Sequence, residues 1–340
     1  MNTNKTIRVA FFDAKEFDRT FFNRANAEYN FSIDYFEGRL TPQTASLSEK
    51  YDTVCVFVND QVDADVADIL NRNGISLIAL RSAGYNNVDL ESVSEKIHVV
   101  RVPEYSPHAV AEHAAALMLA LNRRIHRAYN RTRDMNFNIN GLLGFDMNSR
   151  TAGVIGTGKI GKALIQILCG MGMNVLGYDI KQDRDFEQKA GFSYTGLDSI
   201  YRESDIISLN CPLTKETYHM IDAQSIKKMK DKVMIINTGR GRLIDTKALI
   251  RGLKERKVGS AGLDVYEEES EYFYEDFSAE IISDDTLARL ISFNNVLVTS
   301  HQGFFTRDAL EKIADITLEN IRLFFEEDRM PNEICYKCSG

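Results

Sequence analysis

Three glycines and one aspartate have the spacing that a dinucleotide-binding loop requires. Gly156, Gly158 and Gly161 form a G-x-G-x-x-G, and Asp179 closes the apolar segment that comes next along the chain. The first glycine allows a tight turn, the second lets the backbone approach a pyrophosphate, and the third lets helix and strand pack closely. An acidic residue at the position of Asp179 can accept hydrogen bonds from ribose hydroxyls. The pattern therefore predicts a dinucleotide site.

The elements around these residues must form a βαβ unit for the loop to bind phosphate. The apolar run Ala152–Ile155 predicts a buried strand, Asn174–Tyr178 predicts a second, and apolar residues recur at helical spacing between them. The predicted helix begins at the glycines, where its unpaired N–H groups and partial positive charge would face the phosphates. This order of elements favours a ligand site over a plain glycine-rich turn.

Charged side chains follow three further predicted strands. Strand Val233–Ile236 precedes Arg240, strand Ser260–Leu263 precedes Asp264 and the acidic cluster Glu267–Glu271, and strand Val296–Thr299 precedes His301. Ligands bind at the carboxyl ends of strands in open α/β sheets, so a nicotinamide there would meet an arginine, an acid and a histidine together.

These three residue types suit the transfer of a hydride and a proton to a small acid. Arg240 could hold a carboxylate through two parallel N–H bonds. His301 could exchange a proton with a carbonyl or hydroxyl oxygen, and a nearby glutamate could keep it protonated. Taken singly, Arg240 could instead be a surface arginine, His301 a loop histidine, and the acidic cluster a solvated loop.

Strands and helices alternate along the chain, which predicts an α/β protein with parallel sheets. In the first hundred residues we expect strands at 6–12, 31–36, 53–58 and 76–80, and helices at 15–28 and 63–73. No glycine fingerprint occurs there, so this part should be a separate lobe. A further strand is expected at Ile206–Leu209. Together with the two strands of the βαβ unit and the three that precede Arg240, Asp264 and His301, it makes six strands around the glycine loop, which fits a full dinucleotide fold. The predicted fold is thus two doubly wound parallel-sheet, Rossmann-like domains.

Composition excludes several classes of protein. The 340 residues carry a net charge of −8 and no basic block, so we expect no nucleic-acid partner. No apolar run approaches the ~18 residues of a membrane span, and the N-terminus has no signal-peptide core, so no membrane association is expected. The five scattered cysteines indicate reduced thiols and a cytoplasmic location. Cys335 and Cys338 form one C-x-x-C without a second ligand pair, so no metal site is predicted.

An apolar helix is predicted after the crossing segment Pro103–Pro107. Ser106 can cap this helix, and Pro107 suits its first position. The run Ala109–Leu121 is apolar nearly all round, which predicts burial between lobes or subunits. His113 within it is expected to be a satisfied core or interface histidine rather than a ligand.

Two polar segments have more than one interpretation. The basic run Arg123–Asn140 could be a solvated face or an arm that reaches a second subunit. The segment Arg81–Asn87 joins a strand to a helix, and its small residues could offer N–H groups to an anion. Spacing alone favours a plain turn for it.

Six ordered segments together resemble the D-2-hydroxyacid dehydrogenase family. They are SAGYNNVDL (82–90), VPEYSPHAVAEH (102–113), GVIGTGKIG (153–161), NTGRGRLIDTKALIRGL (237–253), AGLDVYEEE (261–269) and SHQGFFT (300–306). The resemblance covers nearly the whole chain. The long segment between Tyr266 and Asn295 is similar to the D-lactate dehydrogenase branch of this family.

The resemblance implies a substrate-binding domain formed by residues 1–101 and 302–340 and an NAD-binding Rossmann domain formed by residues 102–301. It also implies a cleft between the two and a homodimer built largely through the NAD-binding domains. It assigns Arg240 to the substrate carboxylate and His301 to proton donation, with Glu269 as the partner of His301 from the motif register.

The resemblance also implies binding residues. On the cofactor side it adds to the glycines and Asp179 the residues Lys159, Ile160, Cys211, Pro212, Thr217, Thr238, Gly239 and Asp264. On the substrate side it implies backbone amides around Ser82, Ala83 and Gly84, with Tyr105 nearby. We further expect Phe57 and Phe304 to complete an aromatic wall that leaves room for little more than a methyl group, unless Phe57 is simply a core residue.

The function implied by the resemblance is the reversible, NADH-dependent reduction of pyruvate to (R)-lactate, a small-molecule reaction that needs no metal. Asp179 favours NAD over NADP because it would repel a 2′-phosphate, although Lys181 could temper that repulsion. Two alternatives remain. One is a dehydrogenase for bulkier 2-keto acids, and the other, in a different class, is a nucleotide-sensing corepressor on the same scaffold. The arginine, glutamate and histidine together favour an enzyme.

Overall fold

The computed structural model describes residues 6–269 and 272–336, which divide into two compact units. One unit contains the residues up to Ser106 and those from Phe305 onward, and the other contains Pro107–Phe304. The first break lies at the start of a helix, and the second lies next to the helix-capping residue Thr306. The boundaries expected from the sequence, 101/102 and 301/302, lie a few residues earlier.

Regular elements alternate along both units. The strands are β1 Arg8–Phe11, β2 Ser32–Tyr35, β3 Thr53–Val56, β4 Leu77–Leu80, β5 His98–Val100, β6 Thr151–Ile155, β7 Asn174–Tyr178, β8 Ser193–Tyr194, β9 Ile206–Leu209, β10 Val233–Asn237, β11 Val258–Leu263 and β12 Val296–Val298. The helices are α1 Glu16–Asn26, α2 Ala64–Arg72, α3 Leu90–Val93, α4 Pro107–Arg123, α5 Ile125–Arg133, α6 Lys159–Gly170, α7 Arg184–Ala190, α8 Leu197–Glu203, α9 Ala223–Lys228, α10 Thr246–Lys254, α11 Asp285–Ile291 and α12 Arg307–Glu327.

The unit Pro107–Phe304 contains a seven-stranded sheet in the order β12-β11-β10-β9-β6-β7-β8. Every pairing in it is parallel, so the carboxyl ends of all its strands lie at one edge. The six strands expected from the sequence are confirmed. The seventh, β8, lies at the end of the sheet and has two residues, too few for a periodic pattern to reveal it.

The other unit contains a five-stranded parallel sheet in the order β2-β1-β3-β4-β5. Strands β3 and β4 are buried along their whole length, which is typical of parallel strands covered on both faces. Only the short strand β5 was not expected. Two parallel sheets with intervening helices confirm the predicted α/β, Rossmann-like fold class.

Helix α4 begins at Pro107, as predicted, and lies along helix α6. Its buried apolar side chains between Ala111 and Leu121 join those of β6 and α6 in one core. Leu119, on the opposite side, is exposed. Only the face that packs on α6 and the sheet is covered within one chain, and burial of the other side between lobes or subunits stays a prediction.

A buried arginine organises the core of the first unit. Arg81 follows β4 and is 1% exposed, and its guanidinium lies 4.4 and 4.8 Å from the ring centroids of Phe11 and Phe57. It donates to the carbonyl of Asp13 at 2.8 Å, and its Nε lies 3.3 Å from a carboxylate oxygen of Asp18. Aromatic faces and acceptor oxygens replace the hydration of this charge.

Asp60 is buried next to this cluster and ties two loops together. One carboxylate oxygen accepts the N–H of Leu40 and the other accepts the N–H of Phe57, both at 2.6 Å. Burial raises the pKa of Asp60 to about 7, against the opposing effects of the Arg81 charge and of these two N–H groups. The carboxyl group therefore fixes the segment that follows β3.

Replacing Asp60 with asparagine should destabilise the protein, because an amide accepts one of the two N–H bonds and turns its NH₂ group toward the other donor. We expect a loss of about 1–3 kcal/mol near pH 5, measured by chemical denaturation. The folded state holds the Asp60 proton more tightly than the unfolded chain does, so the stability of the wild type falls as the pH rises from about 4 to about 7. Asparagine does not titrate, so the difference in the free energy of unfolding between wild type and Asp60→Asn should become smaller over this range.

The control for this experiment is Asp65→Asn, which changes an exposed aspartate of α2 and should leave the free energy of unfolding nearly unaltered. An Asp60→Asn variant as stable as the wild type near pH 5 would contradict the prediction.

Candidate active site

The glycine loop after β6 is shaped by backbone contacts that exclude side chains. Gly156 has a φ of +91°, and a Cβ atom there would lie 2.6 Å from the backbone of Asn210 and Cys211. A Cβ at Gly161 would lie 2.0 Å from the carbonyl oxygen of Gly156. Gly158, by contrast, precedes α6 and has open space where its Cβ would be. The loop therefore leaves the N-terminus of α6 accessible to an anion such as a pyrophosphate.

Asp179 follows β7 and is held beside this loop. One of its carboxylate oxygens accepts the N–H of Thr157 at 2.6 Å, and the other accepts the N–H of Lys181 at 2.9 Å. A pocket of about 730 Å³ is lined by Asp179 together with Gly158 and Lys159. These residues fit a dinucleotide, since a phosphate-binding helix end and a carboxylate for ribose hydroxyls share one pocket.

Two buried polar atoms beside the loop have no hydrogen-bond partner among the described residues, Oδ1 of Asn210 and Oγ1 of Thr238. Gly239 comes next, and a Cβ there would lie 3.3 Å from the carbonyl oxygen of Leu209 and 3.5 Å from that of Cys211. Buried polar atoms are almost always paired. The two unpaired atoms therefore indicate that a ligand with polar groups is received at these strand ends.

The predicted cofactor residues Cys211, Pro212 and Thr217 belong to one closed loop. The hydroxyl of Thr217 donates to the carbonyl of Pro212 at 2.8 Å and accepts the N–H of Thr214 at 2.7 Å. It therefore shapes the loop. Ile160, predicted for the same cofactor, lies partly exposed in the first turn of α6.

Arg240 lies in the turn that follows β10. The side-chain amide of Asn237 donates to the carbonyl of Arg240 at 2.8 Å and accepts the N–H of Gly239 at 3.1 Å. The guanidinium donates to the carbonyl of Gly239 at 2.8 Å and pairs with no carboxylate in the described part of the chain. Arg242, in contrast, pairs with Glu268 at 3.5 Å. Arg240 therefore keeps its charge and most of its N–H donors for a ligand.

The buried carboxylate of Asp264 folds the turn that carries His301. One oxygen accepts the hydroxyl of Thr299 at 2.6 Å and the N–H of Gln302 at 2.9 Å, and the other accepts the N–H of Gly303 at 2.8 Å. The carbonyl of Asp264 accepts the N–H of His301 at 2.7 Å. One residue at the end of β11 thus holds the whole turn after β12.

His113 of α4 completes the surroundings of this carboxylate. Its Nε2 atom lies 3.1 Å from a carboxylate oxygen of Asp264 and 3.1 Å from the hydroxyl of Thr299, so it is a satisfied histidine, as expected. Burial acts to raise the pKa of Asp264, but hydrogen bonds from His113 and Thr299 and the charge of nearby histidines hold it below its ordinary value. Asp264 is therefore ionised, and its predicted contact with the cofactor stays a prediction.

His301 has a strained backbone that this turn stabilises. Its φ is +50°, in the left-handed region that costs a residue other than glycine about 1–3 kcal/mol. The hydroxyl of Tyr274 donates to the carbonyl of His301 at 2.8 Å, so both backbone polar groups of the histidine are held. The direction of the imidazole is therefore fixed by its surroundings.

The imidazole of His301 pairs with Glu269. Nδ1 lies 2.8 Å from one carboxylate oxygen, and the other oxygen accepts the N–H of Tyr266 at 2.8 Å. The pairing leaves Nε2 as the ring nitrogen that can meet a substrate. Glu267 lies instead on a different histidine, His219, at 2.7 Å. The solvated-loop interpretation is therefore wrong for both glutamates.

In the other compact unit, the turn after Arg81 presents two backbone amides. The hydroxyl of Ser82 donates to the carbonyl of Gly84 at 2.7 Å, and Arg101 donates to the carbonyl of Ala83 at 2.7 Å. Within residues 6–269 and 272–336, the N–H groups of Ala83 and Gly84 donate to no acceptor, and both residues are partly exposed. The turn can therefore donate to an anion, whereas the spacing of its residues alone favoured a plain turn.

The three aromatic residues of the predicted wall are not alike. Phe57 and Phe304 are each 7% exposed, whereas Tyr105 is half-buried. The ring of Phe57 covers the guanidinium of Arg81, so Phe57 packs against the core of its unit, and its contact with a substrate stays a prediction. The wall itself stays a prediction.

Several residues that hold the site were not expected from the sequence. Asn237 had a usable signal, since an asparagine at the end of a strand and before a glycine commonly bonds the backbone two residues on. Tyr274 and the pair formed by His219 and Glu267 had none. They join loops that are distant along the chain, which leaves no periodic pattern.

A sequence model of the "D-isomer specific 2-hydroxyacid dehydrogenase, NAD binding domain" matches residues 115–303. The chain belongs to this dehydrogenase family. It is 51% identical over 316 residues to a 2-hydroxyacid dehydrogenase homolog of Haemophilus influenzae, covering 93% of this chain and 95% of that protein. It is 46% identical over 329 residues to a D-lactate dehydrogenase of Escherichia coli K12, covering 96% and 100%.

Solved structures agree with this assignment. The apo-structure of D-lactate dehydrogenase from Escherichia coli matches with a TM-score of 0.89 and 44% identity, over 96% of this chain and 100% of that one. The predicted family and its NAD cofactor are confirmed, and this dehydrogenase is an NAD-dependent oxidoreductase.

Other features of the dehydrogenase bear on the predictions from composition. In the described residues no group of three or more histidine, cysteine or acidic side chains could hold a metal ion, and no helix is long and apolar enough to span a membrane. Cys55, Cys169 and Cys211 are free thiols. Cys338 of the C-x-x-C and Glu271 of the acidic cluster lie outside the described residues.

The dehydrogenase should prefer NADH to NADPH by at least about tenfold in kcat/KM, because the carboxylate of Asp179 would face the 2′-phosphate and like charges in contact cost more than 1 kcal/mol. Asp179→Asn keeps an oxygen for the N–H of Thr157 but removes the charge, so the preference should narrow. Steady-state kinetics with both cofactors test this. Equal efficiencies in the wild type would contradict the prediction.

Proposed function

We propose that this dehydrogenase is a D-lactate dehydrogenase, which reversibly reduces pyruvate to (R)-lactate with NADH. The proposal is carried by two groups at the carboxyl edge of one parallel sheet, the imidazole of His301 on Glu269 and the guanidinium of Arg240, which pairs with no carboxylate among the described residues. Reduction of a 2-keto acid needs a proton donor and a carboxylate receptor. The relatives described as D-lactate dehydrogenases support pyruvate as that acid.

His301 acts as the acid in reduction and as the base in oxidation. Bound NADH supplies the hydride for the carbonyl carbon of pyruvate. As negative charge develops on the carbonyl oxygen, the protonated imidazole donates its Nε2 proton to it, and Glu269 stabilises the imidazolium from the Nδ1 side. In lactate oxidation the neutral ring keeps its Nδ1–H on Glu269, so Nε2 is free to accept the hydroxyl proton.

Arg240 binds the carboxylate of pyruvate through its available N–H donors, and the amides of Ala83 and Gly84 are proposed as further substrate-binding groups. We accordingly assign residues 1–101 and 302–340 to substrate binding and residues 102–301 to NAD binding. The cofactor contacts proposed beside the glycines and Asp179 are Lys159, Ile160, Cys211, Pro212, Thr217, Thr238, Gly239 and Asp264. Their positions on loops at the carboxyl edge of the sheet support this assignment.

Substrate size separates this proposal from the alternative of a dehydrogenase for bulkier 2-keto acids. We propose that Phe57, Tyr105 and Phe304 restrict the substrate side chain to about the size of a methyl group. The kcat/KM for NADH oxidation should therefore be highest with pyruvate and at least about tenfold lower with 2-ketoisocaproate. A higher value with 2-ketoisocaproate would favour the alternative and contradict the proposal.

We also propose that the enzyme is a homodimer. Helix α5 and the segment after it carry a group of exposed apolar side chains, which are Ile125, Tyr129, Met135, Phe137, Ile139 and Leu143. Exposed apolar side chains concentrated in one segment are typical of an interface. Sedimentation should give the mass of two chains, and the mass of one chain would contradict the proposal. The cytoplasmic location stays a prediction.

Arg240→Lys should raise the KM for pyruvate by about 10–100-fold, because lysine keeps the charge but loses the fork that binds a carboxylate through two bonds. The dissociation constant of NADH should change by less than about twofold. Arg242→Lys is the matched control, since that exposed side chain pairs with Glu268. An unchanged KM in Arg240→Lys would contradict the assignment.

Glu269→Gln should move the alkaline limb of kcat/KM for pyruvate to lower pH, because the imidazolium of His301 loses the adjacent negative charge. The acid limb of lactate oxidation, which needs the neutral ring, should move the same way. His301→Ala should lose about 10²–10⁴-fold in turnover while it still binds NADH. If the limbs of the pH–rate profiles stay in place in Glu269→Gln and the His301→Ala variant keeps most of its turnover, the acid–base role is refuted.

A further inference from the structure

A second histidine–glutamate pair lies beside the turn of Arg240 and has no part in the mechanism above. Nε2 of His219 lies 2.7 Å from a carboxylate oxygen of Glu267, and the two side chains are 27% and 18% exposed. The other oxygen of Glu267 accepts the N–H of Thr246 at 2.8 Å, at the start of α10. The ring of Tyr218 stacks on that of His219 with centroids 4.0 Å apart. The pair thus joins three separate segments.

Backbone hydrogen bonds connect the same segments to the turn itself. The N–H of His219 donates to the carbonyl of Arg242 at 2.9 Å, and the N–H of Ile221 donates to the carbonyl of Leu243 at 3.0 Å. Arg242 and Leu243 belong to the short 3-10 turn that begins directly after Arg240. The histidine is therefore attached to this turn by its N–H and to the glutamate by its ring.

The third side of this arrangement is a direct contact between backbones. A Cβ at Gly241 would lie 2.1 Å from the carbonyl carbon and oxygen of Tyr266 and 2.6 Å from the nitrogen of Glu267. The turn after Arg240 therefore rests against the peptide that carries Glu267, with no room for a side chain. Because packed interiors transmit displacement, a shift of this glutamate would move the turn.

We propose that His219 and Glu267 are positioning residues for Arg240, whose turn their side-chain contact clamps in the orientation that receives the substrate carboxylate. This inference rests on the proposed role of Arg240. A fork that binds a carboxylate through two bonds must be held to within about 0.5 Å. Asn237 restrains the turn from the side of β10, and the clamp restrains it from the other side.

The two histidine–glutamate pairs differ in which ring nitrogen is engaged. Glu269 contacts Nδ1 of His301, so Nε2 at the end of the ring is left for a substrate. Glu267 contacts Nε2 of His219, so the corresponding nitrogen is engaged within the protein. We therefore expect the second pair to affect the binding of pyruvate and to leave the pH dependence of proton transfer unchanged.

Kinetics of Glu267→Gln test the clamp, since glutamine keeps an oxygen for the N–H of Thr246 but replaces the carboxylate oxygen that contacts His219 with an NH₂ group. We expect the KM for pyruvate to rise about tenfold, with kcat and the dissociation constant of NADH, measured from NADH fluorescence, within about twofold of wild type. His219→Gln should have the same effect, and Glu267→Asp should recover part of the affinity. Glu203→Gln, at an exposed glutamate that ends α8, is the matched control and should change none of these quantities.

A double-mutant cycle with Arg240→Lys distinguishes positioning from a general structural role. If the pair acts through Arg240, Glu267→Gln should raise the KM by less than about twofold in the Arg240→Lys background. An equal rise in both backgrounds, or a shift of the alkaline limb in Glu267→Gln, would overturn the proposal.

The cycle also separates this proposal from the function on which it rests. Unchanged KM values in Glu267→Gln and His219→Gln, beside a raised KM in Arg240→Lys, would overturn the clamp alone. An unchanged KM in Arg240→Lys would overturn the carboxylate anchor, and the clamp with it.

Discussion

The proposed acid–base group of this dehydrogenase, His301, depends on one buried carboxylate, that of Asp264. A loop histidine would otherwise sample many orientations, and the left-handed backbone of His301 would relax. Hydrogen bonds from three neighbours in the turn to a single ionised group remove that freedom, at the cost of desolvating a charge. The contact with His113 partly offsets this cost. The imidazole consequently lies against Glu269 through contacts within the protein alone, which is the preorganisation that proton transfer requires.

Close backbone contacts extend this order to the neighbouring strand ends. Gly156 lies against Asn210, and Gly241 lies against Tyr266, and neither contact leaves room for a Cβ atom. Strands β6, β9, β10 and β11 are successive neighbours in the sheet. The loops after them therefore form one packed layer, so the groups proposed for the cofactor and for the substrate carboxylate are carried by one edge of the sheet.

The sequence predicts the sheet strands and the chemical groups because both have local signals. The βαβ unit around Gly156 combines an apolar run, a glycine spacing and a helical period, and Arg240 and His301 each follow an apolar run. The contacts that orient these groups have no such signal. Motif register could only suggest that Glu269, and not Glu267, pairs with His301, since the choice depends on how two distant loops pass each other. Tertiary packing likewise determines the two-residue strand β8 and the burial of the charged Arg81 after β4.

The most direct test of the account is a crystal structure of the enzyme with NADH and oxamate, an unreactive amide with the shape of pyruvate. We expect the oxamate carboxylate on the guanidinium of Arg240 through two hydrogen bonds. Its amide carbonyl oxygen should lie about 2.6–3.2 Å from Nε2 of His301, while Nδ1 stays on Glu269. An oxamate whose carboxylate lies on other groups while Arg240 remains on Gly239, or whose carbonyl oxygen is directed away from His301, would contradict the account.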